Sequence, residues 1–227
     1  MNIIDWPGTL VPVHTATPWL EKQIASSGAT LTGQERVVVT DAGRWRYAMS
    51  VPIRKPQQVL AFRALMALTQ GKAGLIRVPF CDCRQDVSAG LPLPKAAPNG
   101  VAHSDGAPHA DGTGYEQVAI TAMVATSAAT GATSVQLTLP SYITLQPGQM
   151  FSDGDRAYVV QSVAPVTGST YTVRFLPRLR APLAAMSFVD LDRLSCVMRL
   201  TSEDALRADL QLHRFADLEF DFTEAIL

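Results

Sequence analysis

The side chains best suited to chemistry in this 227-residue chain fall in one stretch. Cys81, Asp82 and Cys83 are followed by His103, Asp105, His109 and Asp111. Thiolate, imidazole and carboxylate all ligate zinc, so a metal-dependent hydrolase built on residues 81–111 is one reading. The spacing fits no standard zinc motif. One residue separates the two cysteines, where zinc sites leave about two to four, and five residues separate the histidines. A polar segment without a metal is the plainer reading.

Three other groups bear weighing. Asp217, Glu219 and Asp221 alternate with Leu218, Phe220 and Phe222, which places the carboxylates on one face of a strand. A solvated outer face has this pattern without any acid–base role. Arg174, Arg178 and Arg180 surround Pro177 and suggest either an anion or partner contact or a strand end with snorkelling side chains. Trp45 between Arg44 and Arg46 has the parts of a stacking site, but its alternation with Tyr47 and Met49 marks it as core. No nucleophile elbow or phosphate-binding loop occurs, and Gly112-Thr113-Gly114 lacks the third glycine of a dinucleotide fingerprint. No catalytic, cofactor-binding or metal-ligating residue is therefore assigned, no cofactor is expected, and the chain reads as not an enzyme.

Composition narrows the classes further. The chain is 47% apolar, enough for a substantial core, yet only 17% charged, below the ~25% usual in soluble domains. Its net charge of −1 argues against specific nucleic-acid recognition, which normally needs a basic excess. No apolar run approaches the length of a membrane span. The first residues lack a signal-peptide pattern, so synthesis inside the cell is expected. Three cysteines do not suggest a disulfide framework.

The elements that would position any site are mostly strands. Residues 1–35 are broken by Pro7, Pro12 and Pro18 and carry no readable period. Strands are expected at 36–40 and at 44–53, the latter with clean period-2 alternation. A helix is expected over 56–70, opened by Pro56 and stopped by Gly71. Val59, Phe62, Leu65, Met66 and Thr69 form one face, and Leu60, Ala64 and Leu68 a neighbouring row. A strand at 75–80 follows. Residues 85–115 hold four prolines and five glycines without apolar period, as a loop or arm would. Strands are then expected at 118–124, 134–139, 149–151, 156–160, 171–175, 195–200 and 218–222. Asp153-Gly154 marks a hairpin, and residues 207–215 are a possible partner for the last strand. Short, evenly spaced strands over 116–194 indicate a small sandwich or barrel.

The order of these elements carries a resemblance. Gly43-Arg44-Trp45-Arg46-Tyr47 precedes the helix, which runs into Gly71-Lys72-Ala73-Gly74-Leu75-Ile76-Arg77-Val78-Pro79. A second β module contains Pro147-Gly148-Gln149-Met150-Phe151, Arg156-Ala157-Tyr158-Val159-Val160 and Phe175-Leu176-Pro177-Arg178-Leu179-Arg180. The chain closes with Cys196-Val197-Met198-Arg199-Leu200 and Leu218-Glu219-Phe220-Asp221-Phe222-Thr223-Glu224-Ala225. From about residue 35 to its end this resembles the distal tail proteins of long-tailed, siphovirus-type bacteriophages and of gene transfer agents.

The resemblance implies a mainly β protein with one clear α-helix. A ring-forming belt domain over 1–80 and 195–227 would carry an inserted galectin-like or OB-like sandwich or barrel over 116–194, with 81–115 as a loop or arm. It implies a structural virion protein, a homo-oligomeric and expectedly hexameric ring joining tail tube to tail-tip hub or baseplate. Its partners would be the tail tube protein, the tail hub protein and the tape-measure protein. It would be assembled in the bacterial host cytoplasm and reside at the virion tail tip, with no membrane contact. Any acidic face passed by DNA in the lumen would be local, given the near-neutral total. The insertion also predicts that Cys81 or Cys83 approaches Cys196 where the inserted module leaves and re-enters. The main competing reading is a carbohydrate-binding module for host attachment, with Tyr142, Tyr158 and Tyr171 as its available aromatics.

Overall fold

The computed structural model describes residues 2–10, 15–22, 24–29, 32–39, 43–80, 120–141, 143–202 and 216–226. The fold is mainly β, with one α-helix among the described residues and a closed six-stranded barrel. No helix among them is long and apolar enough to cross a membrane.

The first unit is an open six-stranded sheet assembled from both ends of the chain. Its strands are β1 (Ile3–Asp5), β2 (Thr15–Glu21), β5 (Arg44–Ile53), β6 (Leu75–Pro79), β13 (Ser195–Leu200) and β14 (Ala216–Glu224). They lie in the order β1-β6-β13-β14-β5-β2. The β1–β6 pair is parallel and the others are antiparallel. Between β2 and β5 the chain makes a separate two-stranded hairpin, β3 (Ile24–Ala29) and β4 (Glu35–Val39).

Alternation decides which face is buried. In β5, Trp45, Tyr47, Met49, Val51 and Ile53 point inward, and in β14 Leu218, Phe220 and Phe222 meet them. Helix α1 (Pro56–Thr69) covers this face with Phe62 and Leu65. Its start is held by Gln58, whose side-chain oxygen accepts the N–H groups of Arg54 (2.8 Å) and Lys55 (3.0 Å). That satisfies donors a helix start leaves open. Its end is a left-handed Gln70 followed by left-handed Gly71. Gly74 then passes so close to the helix that a Cβ would stand 2.6 Å from the Thr69 carbonyl oxygen, so only glycine fits.

The second unit is the barrel. Its strands are β7 (Thr121–Val124), β8 (Ser134–Thr138), β9 (Met150–Ser152), β10 (Ala157–Thr167), β11 (Thr170–Leu176) and β12 (Phe188–Asp190). They close in the order β10-β11-β8-β7-β12-β9, all antiparallel. Phe151, Tyr158 and Phe175 fill its centre with ring centroids 5.1–5.2 Å apart. Most of this core is separate from that under the sheet. Met150 and Ala157, with half-buried Val159 beside them, are the barrel-strand residues that join the sheet cluster.

Several expectations change in detail. Residues 1–35 supply three strands where no period was readable. Pro18 sits in β2, an edge strand, where a missing N–H costs no ladder bond. Strand β10 runs to Thr167 instead of stopping at 160. Beyond Val160 its side chains are mostly exposed and its register is irregular, so no alternation signals it. The proposed strand at 207–215 and the segment 81–119 lie outside the described residues. The approach of Cys81 or Cys83 to Cys196 therefore also lies outside them. Near that point, the Phe80 N–H donates to the Leu194 carbonyl at 2.9 Å, and Cys196 pairs in register with Val78.

Candidate functional site

Cys81, Asp82, Cys83, His103, Asp105, His109 and Asp111 all lie outside the described residues. Among the described residues, no group of three His, Cys, Asp or Glu side chains could hold a metal ion. Asp217, Glu219 and Asp221 occupy the exposed face of β14, opposite the buried Leu218, Phe220 and Phe222. Arg54 pairs with Asp217 at 2.9 Å with both side chains about half exposed, a geometry worth about 0–1 kcal/mol.

The aromatic set proposed for sugar binding does not hold together. Tyr158 is completely buried in the barrel, Tyr171 is half-buried against the same core, and Tyr142 lies outside the described residues. The period-2 signal of β10 already pointed Tyr158 inward, with Val160 on the same face. The exposed aromatic on this unit that sequence reasoning passed over is Phe188 of β12.

The arginine group also divides. Arg174 and Arg178 are exposed, but Arg180 turns inward. It meets Glu224, the one acidic residue of β14 that lies on the buried face. Arg180 Nε stands 3.4 Å from Glu224 Oε1, and Arg156 Nη1 4.0 Å from the same oxygen. The other carboxylate oxygen accepts the Trp45 N–H at 3.2 Å. The guanidinium groups also donate to sheet-side carbonyls, Arg180 to Gly43 and Arg156 to Ala225, each at 2.5 Å. Side-chain exposures of 1% for Glu224, 9% for Arg180 and 10% for Arg156 leave a substrate little to touch.

This cluster lies where the β9–β10 hairpin meets the sheet. The Val197 N–H donates to the Asp155 carbonyl at 2.8 Å, and Ser195 Oγ donates to the Gly154 carbonyl. The Trp45 indole N–H donates to Ala157 at 2.6 Å. Arg77 binds Asp155 (2.8 Å) and Asp5 (2.5 Å), which raises its pKa further. The hairpin thus occupies the space beside β13 that β14 leaves on ending at Glu224.

Burial sets the protonation of the neighbours. Asp153 is pushed up by desolvation, against the pull of the Arg156 amide and charge. The Tyr158 hydroxyl is pushed far up by burial and by Asp153, against the pull of the Arg180 backbone. Burial, helped by Glu224, raises the Cys196 thiol to about 12. A thiol so held is inert. Peptide mapping after iodoacetamide at pH 8 should find Cys196 unmodified in native protein and modified in urea. The folded pKa lies above the ordinary value, so the neutral thiol's contribution is complete below about pH 9 and is lost as pH rises toward 12. The melting temperature should fall across that window, and less steeply in Cys196→Ala.

Two exposed apolar surfaces belong to the sheet unit. Every described side chain of the β3–β4 hairpin is exposed, including Ile24, Val37 and Val38. Cross-strand register puts Ile24 and Val37 on one face and Val38 on the other. On α1, Leu60 and Leu68 are 63% and 62% exposed with exposed Ala64 between them. Arg63 is the only charged residue of that helix. No protein-family model and no curated protein matches this chain.

Proposed function

We propose that the chain is a structural subunit of a homo-oligomer, and that this assembly is the distal ring of a long-tailed phage or gene-transfer-agent tail, joining tube to hub. The observation that carries the reading is the exposed β3–β4 hairpin, which pairs with no other described strand and carries apolar side chains on both faces. An isolated two-stranded hairpin is marginal in water. Its apolar side chains and open edges call for cover by another chain. The Leu60–Ala64–Leu68 row supplies a second apolar face on the same unit. Donor and acceptor patches that differ on one chain make head-to-tail contacts, which close into rings when the rotation allows. The tail identity itself rests on the order of elements. Six copies, the tail tube, hub and tape-measure partners, and a place at the virion tail tip belong to that reading.

Light scattering and negative-stain imaging of the protein, alone and mixed with tail tube and hub proteins, test it. Six-fold rings are the expected result. Leu60→Glu with Leu68→Glu should abolish them while leaving circular dichroism and melting temperature unchanged, because both side chains are exposed. A chain that stays monomeric in every mixture would refute the reading.

A further inference from the structure

We propose that Glu224 is the keystone of a charge latch that fixes the barrel against the sheet, and that opening the latch releases the barrel as a folded body. The partition of groups across the junction is the basis. Both cations, Arg156 and Arg180, belong to the barrel side. Every acceptor they use, the Glu224 carboxylate and the carbonyls of Gly43 and Ala225, belongs to the sheet side. One buried carboxylate therefore serves two buried guanidinium groups. Without it the barrel would press two guanidinium charges into the sheet with no other described carboxylate within ion-pair distance, which burial penalises heavily.

Among the described residues the other attachments are the Val197, Trp45 and Ser195 hydrogen bonds to the β9–β10 hairpin, the Arg77–Asp155 pair, and Met150, Ala157 and half-buried Val159 in the sheet core. Each unit otherwise closes its own core. Loss of the latch is thus expected to open the junction locally, below the threshold for unfolding either unit.

Hydrogen exchange on the full chain reads this directly. In Glu224→Gln, the Val197 amide and the Trp45 indole N–H should exchange at least about tenfold faster, while Phe175 in the barrel and the β5–β14 ladder keep their rates. Combining Glu224→Gln with Arg180→Met should restore part of the protection, because one stranded cation is removed. Equal acceleration at all these sites would show a residue of general stability, and no acceleration would show no latch. Either overturns the proposal. If Glu224→Gln does not fold, Arg180→Met and Arg156→Met decide. Each should accelerate the same two protons selectively, and unchanged rates in both would overturn the proposal.

Discussion

Phe220→Ala is expected to cost about 3–5 kcal/mol, the range for deleting a large aromatic side chain from a packed core. Phe220 is 1% exposed and has three aromatic neighbours. Trp6 meets it edge-on at 5.3 Å, Phe62 at 6.1 Å, and Phe222 stacks at 5.9 Å. Those rings come from the segment after β1, from α1 and from β14 itself, so no single shift can fill the cavity. A loss of that size is a large part of the ~5–15 kcal/mol that stabilises a typical protein. The urea midpoint of the sheet should fall steeply. Glu219→Ala, one residue away on the exposed face, should stay within about 0.5 kcal/mol of wild type. Equal effects at 219 and 220 would contradict the register of β14.

That register also explains what could be read from the chain in advance. The strands at 44–53 and 195–200 and the helix declare themselves because one face of each is continuously apolar. The same alternation, carried two residues past Phe222, puts Glu224 on the buried face. The signal for the latch carboxylate is thus present in the sequence, one step of the alternation beyond Phe222. Arg180 had no comparable signal. Its inward turn depends on Gly43 and Glu224, 137 and 44 residues away in sequence. Strand β4 is legible from its β-branched run Val37-Val38-Val39, but its partner β3 is hard to read for a different reason. With every described side chain exposed, no buried face imposes a period.

The two units differ in how they treat their edges. The barrel pairs every strand on both sides and so offers no free ladder. The sheet ends in β1 and β2, and carries the β3–β4 hairpin next to the β2 end. The free backbone edges among the described strands therefore belong to the sheet unit. The low charge of the whole chain fits the same division, since the exposed helix row and the hairpin need few charges if copies of the chain cover them.

Phe175→Ala should cost a similar ~3–5 kcal/mol, but in the barrel alone. Phe175 is completely buried, with Phe151 and Tyr158 each 5.2 Å away. Its strand β11 lies between β10 and β8, so loosening it weakens ladders on both sides of the closed ring. Calorimetry of Phe175→Ala should resolve an early barrel transition ahead of the sheet. In Phe220→Ala the order should reverse. Two transitions that exchange order between the variants require cores that melt independently, as their separate memberships imply. If each variant instead shifts one common transition, Met150 and Ala157 couple the cores strongly enough to make them one cooperative unit. In that case the sheet would feel the loss of Phe175 through the β9–β10 hairpin, since both residues belong to the strands that flank it.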